Sequence, residues 1–132
     1  MKVAVARRNE ALDTFINNCN SGILRYYSGT RPTDADTALS GNTVLAELTL
    51  NSTSFGSSSG GVLTANAITS DSSANATGTA SFARLFESDG TTVIGDLSLG
   101  TSGTEVIVNS TSIVSGAVVS CSALTLTMGV GT

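Results

Sequence analysis

The sequence predicts an all-β domain: an antiparallel, jelly-roll-like β-sandwich of about seven to eight strands with one N-terminal α-helix. Three observations lead there. Serine and threonine make up 39 of the 132 residues, and short hydroxyl side chains, β-branched Thr above all, suit the exposed face of a pleated strand. Beyond residue 22, apolar residues recur with a period near two, in short runs separated by Gly, Ser, Thr and Asn. Such runs, repeating about every dozen residues, are the rhythm of sandwiches and barrels. The length of 132 residues suits one domain, residues 1–132, with a core that needs no metal or disulfide framework.

The helix is expected over residues 8–20. Ala11, Leu12, Phe15, Ile16 and Cys19 form one stripe on a 3.6-residue period. Gly22, after Asn20 and Ser21, is the expected left-handed stop. The period then changes to two. Ile23–Ser28 reads as a short strand, and residues 30–42 as a polar connection holding the single proline, Pro32. Val44–Leu50 places Val44, Ala46, Leu48 and Leu50 on one face. GSSSGG at 56–61 is expected to be a flexible hairpin tip or loop.

Val62–Thr69 and Gly78–Glu87 read as the next strands. The second alternates Ala80, Phe82, Arg84 and Phe86 against Ser81, Ala83 and Leu85. Ser88-Asp89-Gly90-Thr91 predicts a hairpin with a type I′ turn, because Asp-Gly readily takes positive φ. Thr92–Leu99, Glu105–Asn109 and Ala117–Met128 complete the set. Tyr26 and Tyr27, adjacent on a strand, point to opposite faces, so at most one ring is exposed.

Charge narrows the function. Only 12% of residues are charged and the net charge is −4, which argues against nucleic acid and against an anionic membrane surface. No stretch approaches transmembrane length. No basic segment followed by an apolar run opens the sequence, so the expectation is a protein made in a reducing cytosol, with Cys19 and Cys121 as free, buried thiols. Residues 37–83 hold only Glu47 and Asp71 as charged groups. A surface this sparsely charged suits cover by a partner.

Catalytic chemistry finds little support. The chain has no histidine, which removes the usual base of a Ser-His-Asp triad and the commonest zinc ligand. GSSSGG leads into a strand rather than a helix, unlike a phosphate-binding loop. Asp34 with Asp36, or Asp89 with Asp96, are the carboxylate pairs left, and nothing places either pair across a substrate. Calcium is conceivable at 33–37 or 88–91, but turn-forming Asx residues account for both stretches. The expectation is therefore no catalytic residue, no metal, no cofactor and no small-molecule substrate.

The order of segments carries a resemblance across nearly the whole chain. RRNEALDTFIN leads to LRYYSGTRP, then LAELTL, then ATGTASFARLFESDGTTVI, and finally VIVNSTSIVSGAVVSCSALTLTMG. This resembles a group of small virion structural proteins of tailed bacteriophages and prophages. The resemblance implies a non-enzymatic virion component, in particular a head decoration or cement protein clasping the major capsid protein. A tail, neck or baseplate component is the alternative, and a fibre or adhesin module a more distant one. On the particle the chain is expected to be a homo-oligomer, dimer or trimer. Candidate contact residues are Lys2, Arg7 and Arg8 in the basic N-terminal segment, Arg31 and Asp34 in the 30–42 connection, and Ser57, Ser58 and Ser59 in the serine loop.

Overall fold

The apolar stripe near the N-terminus forms a helix, as its period implies. In the computed structural model, which describes residues 1–128, helix α1 spans Val5–Cys19, starting three residues before the expected start at residue 8. Val5, Ala6 and Arg7 are exposed, so no core contact recruits them. Local bonds hold this turn: Arg7 and Arg8 both donate N–H to Ala4 O at 3.0 Å, and Arg7 pairs with Glu10 at 2.9 Å. Leu12 and Cys19 are buried, Phe15 and Ile16 half-buried and Ala11 exposed. The left-handed residue after the helix is Ser21 (φ 57°) rather than Gly22. Gly22 is needed for close approach instead, since a Cβ there would lie 2.7 Å from Phe86 O and 2.8 Å from Cys19 O.

The strands are β1 Ile23–Tyr27, β2 Val44–Thr49, β3 Val62–Thr64, β4 Gly78–Thr79, β5 Phe82–Phe86, β6 Val93–Gly100, β7 Val106–Ile107, β8 Ser112–Ile113 and β9 Ala123–Thr127. Seven of them form one sheet in the order β2-β1-β5-β6-β7-β9-β3, and β4 pairs with β8 in a small second sheet. The fold is strand-rich with one helix. Its large sheet is mixed, however, because β6 and β7 run parallel, where antiparallel pairing throughout was expected. The cause is local. Ser98 N donates to Glu105 Oε1 (3.1 Å) and Glu105 N to Ser98 Oγ (3.0 Å), so the chain loops back and re-enters beside β6 in the same direction.

Several expected strands are shorter or divided, and Glu105–Asn109 keeps only Val106–Ile107. Gly78–Glu87 breaks at Ala80 and Ser81, whose N–H groups bond Thr111 O (2.8 Å) and Tyr27 O (2.9 Å); here the chain passes from the small sheet to the large one. Val62–Thr69 pairs as a strand only to Thr64, and Ala117–Met128 only over Ala123–Thr127. Beyond β3 the chain returns to β2, where Thr49 and Thr69 exchange both backbone bonds (3.2 and 2.9 Å). This single bridge sets the segment after β3 against the edge strand β2 at Thr49.

The core lies on both faces of β5, all five residues of which are buried. Ala83 and Leu85 face the main core with Leu24, Tyr26 and Leu48. Phe82 and Phe86 join Tyr27 in a second cluster on the opposite face, against Ile23, Leu39 and Val44. Tyr27 stacks on Phe82 with ring centroids 5.4 Å apart. Both tyrosines are therefore buried, because the 30–42 connection covers the face that would otherwise be open. The Asp-Gly hairpin also differs from its expected form. Gly90 alone takes positive φ (72°) and donates to Glu87 O at 3.0 Å, so the turn is not type I′. Asp89 spends its carboxylate on Thr91 N and Thr92 N, each at 2.9 Å.

Candidate functional site

The sequence-derived contact residues fall into two separate groups. The N-terminal segment and the serine loop come together. Ser58 Oγ donates to Asp13 Oδ1 (2.7 Å) and Asn9 O (3.0 Å), and Gly61 N donates to Asn9 Oδ1 (2.9 Å). Ser59 and Val62 exchange backbone bonds at 3.0 Å. The loop is thus pinned to α1 along Asn9 and Asp13, a correction to its reading as a flexible tip. Arg8 is committed to the scaffold as well: Nε donates to Val3 O (3.1 Å) and Nη1 to Met128 O (3.3 Å). Arg7 is paired with Glu10 on the helix surface. Lys2, Arg7, Ser57 and Ser59 are exposed, and Lys2 and Ser57 carry none of these bonds.

Arg31 and Asp34 belong to the 30–42 connection, elsewhere on the molecule. Both are exposed. Asp34 Oδ1 accepts from Thr37 Oγ1 (2.8 Å), and Asp34 O accepts from Thr37 N (3.3 Å), which closes a turn. Thr37 O in turn accepts from Arg84 Nη2 (3.0 Å), and Leu39 rests on the Tyr27–Phe82–Phe86 cluster. Beneath this strap runs a row of charges in register across four strands: Glu47, Arg25, Arg84 and Asp96. Arg25 Nε meets Glu47 Oε2 at 2.7 Å and its guanidinium lies 4.6 Å from the Phe86 ring centre. The side-chain hydrogen bond to Asp96 raises the Arg84 pKa above its ordinary value. The row is a scaffold, with its charges spent on each other.

The surface that composition reasoning missed lies at the turn after β8. Val114 is 58% and Val118 71% exposed, above a buried Ile113 and Val119. Their backbone is fixed. Ala117 N donates to Val114 O (3.0 Å), Gly116 N to Ala74 O (2.9 Å), and Ala74 N to Ala117 O (2.8 Å); Ser115 N donates to Thr77 Oγ1 (3.0 Å). Residues 106–132 contain no charged residue. The valines thus stand at the rim of a shallow hollow of about 200 Å³ flanked by Asn109, Ser110, Ser112 and Ser120. A Ser-Gly pair inside the apolar run IVSGAVV was the signal for this turn.

The remaining groups have ordinary structural roles. Cys19 is buried, and burial, with Glu87 nearby, pushes its thiol up to about 12. Cys121 is half-buried and free, its Sγ 3.2 Å from Ala123 O. Among the described residues no group of three or more Cys, Asp or Glu is placed to hold a metal ion, and no helix is long and apolar enough to cross a membrane. Comparison with protein-family models, curated proteins and solved structures finds no significant match to the chain.

Proposed function

We propose that this chain is a non-enzymatic structural protein of a tailed-phage virion, and on the particle a head decoration or cement protein that binds the major capsid protein. The observation that carries the proposal is the uncharged, valine-tipped surface at Val114–Val118, held on a backbone tied to residues 74–77. Apolar side chains displayed on a fixed turn lose little entropy on docking. Burying two valines contributes on the order of 3 kcal/mol. Flanking hydroxyls and amides satisfy hydrogen bonds at the rim without the desolvation cost of charges. Many copies of such a modest contact add up over a shell.

The segment-by-segment resemblance to phage structural proteins supports the same assignment. A jelly-roll-like sandwich remains our proposal for the finer architecture, supported by the antiparallel majority of pairings and by the Thr49–Thr69 bridge that brings the segment after β3 against β2; the parallel β6–β7 pair is its departure from that pattern. The test is co-sedimentation of the purified protein with empty, expanded heads of the phage that encodes it. Val114→Asp with Val118→Asp should abolish binding while leaving the melting temperature unchanged. Undiminished binding of that double variant would refute the assignment of this surface.

A further inference from the structure

The strap over the Tyr27–Phe82–Phe86 cluster is fastened firmly at its neck and lightly elsewhere. At the neck, Ser28 N donates to Thr43 O (3.1 Å). Asn42 Nδ2 donates to Ser28 O (2.8 Å) and Thr30 O (3.1 Å), and Ser81 Oγ donates to Gly29 O. The two ends are thereby held together, and the chain beyond them is a closed loop. Gly29 (φ 85°) and Gly41 (φ 71°) stand one at each end, both in the left-handed region.

Past the neck the attachments are few. Among the described residues, the one backbone–backbone bond made by residues 30–42 is internal, from Thr37 N to Asp34 O (3.3 Å). One side-chain bond reaches the strap from the sheet, Arg84 Nη2 to Thr37 O (3.0 Å). Leu39, itself half-buried, is the one apolar strap residue packed on the cluster. Most of the strap faces solvent. Segments with so few apolar contacts open locally, well below the free energy of global unfolding. What the strap hides is of the opposite kind. Tyr27, Phe82 and Phe86 are buried, and they are half of the aromatic residues in the chain.

We infer that residues 30–42 are a hinged cover, which lifts as one body at Gly29 and Gly41 and exposes the Tyr27–Phe82–Phe86 face while the sheet stays folded. The closed state is held by the Leu39 contact and by the Arg84 bond to Thr37 O. Lifting breaks these two. It leaves the pairing of β1, β5 and β6 and the Arg84–Asp96 ion pair in place. The cover thus sets whether an aromatic face meets solvent, and it uses no residue of the Val114–Val118 surface.

The two tyrosines supply an internal comparison. Tyr26 and Tyr27 are adjacent and both buried, but Tyr26 belongs to the main core and Tyr27 lies under the strap. Nitration of the full-length protein with tetranitromethane, read at each ring by mass spectrometry, should modify Tyr27 about tenfold faster than Tyr26 or more. Leu39→Ala removes the apolar anchor and should speed Tyr27 roughly tenfold again, with Tyr26 unchanged. Gly41→Ala, where an added Cβ meets nothing within 4 Å, strains only the left-handed hinge. It should speed Tyr27 severalfold without removing any atom above the ring. Equal rates at the two tyrosines, or variants that move both rates together or neither, would overturn the cover.

Discussion

Arg84 and Asp96 face each other in register on β5 and β6, joined by two bonds: Nε to Oδ1 at 2.6 Å and Nη2 to Oδ2 at 3.0 Å. Both side chains are buried, beneath a strap whose Thr37 carbonyl takes a further bond from Arg84. Arg25 lies opposite Arg84 on the next strand. Two like charges side by side repel, and the outer acids Glu47 and Asp96 offset that at either end of the row. The pair thereby ties the 30–42 connection, with Arg31 and Asp34 on it, to the sheet.

Arg84→Met should cost about 3–5 kcal/mol, because it leaves the Asp96 carboxylate buried without its partner. Arg84→Met combined with Asp96→Leu should recover most of that loss, since both desolvation costs vanish together. Urea unfolding of the single and double variants checks this. Equal destabilisation by single and double variants would show that packing, rather than the orphaned charge, sets the cost.

Stability should fall above about pH 9. Burial raises the Cys19 thiol from 9.0 to about 12, and burial beside Cys121 raises the Tyr26 hydroxyl above its ordinary value. Both raised groups favour the protonated, folded form. Their contribution is complete below the unfolded pKa and is lost as pH climbs toward the folded one. For Cys19 the slope is at most about 1.4 kcal/mol per pH unit. Thermal melts from pH 8 to 11 measure it, and Cys19→Ala should flatten the lower part of the curve.

The Asp89 hairpin should behave in the opposite sense. Bonds from the Thr92 hydroxyl and from the Thr92 and Thr91 N–H groups lower its carboxyl from 3.8 to about 2. Its stabilising contribution is present above pH 4 and is lost as pH falls toward 2. Carboxyl chemical shifts followed by NMR should give an Asp89 midpoint near 2. A midpoint near 4 would mean that the turn does not hold the carboxylate in solution.

Gly22→Ala should destabilise by roughly 1–3 kcal/mol. Its Cβ would press on Phe86 O and Cys19 O, both backbone atoms fixed by neighbouring elements. Gly56→Ala, where an added Cβ meets nothing, is the control and should change little. Chemical denaturation of the two variants distinguishes this steric requirement from a general cost of replacing glycine.

The strand-rich class with one helix was legible because a two-residue period and a single helical stripe are local properties, visible in Ala46–Leu50 and in Leu12–Cys19. Val44, expected on the face of Ala46 and Leu48, packs instead with Tyr27 and Phe82, and Leu45 takes its place in the main core, because the register shifts between Tyr26 and Tyr27. The parallel entry of β7 was not legible, since it depends on one side chain, Glu105, returning to Ser98. The crossing at Ala80–Ser81 likewise depends on partners at Thr111 and Tyr27, distant in sequence. Contact residues were harder still. Charge suggested Arg8, which the structure spends on Val3 and Met128, and composition suggested flexibility in a serine loop that Asn9 and Asp13 hold in place. The exposed valines escaped because apolar residues in a β-rich chain are assigned to its core until a structure places them outside.

The stoichiometry of this chain in purified particles tests the proposed cement role most directly. Quantitative mass spectrometry of full heads should find it in numbers comparable to the major capsid protein, and stripping it should lower the temperature at which heads release DNA. A few copies per particle, travelling with tails, or none at all, would contradict that role.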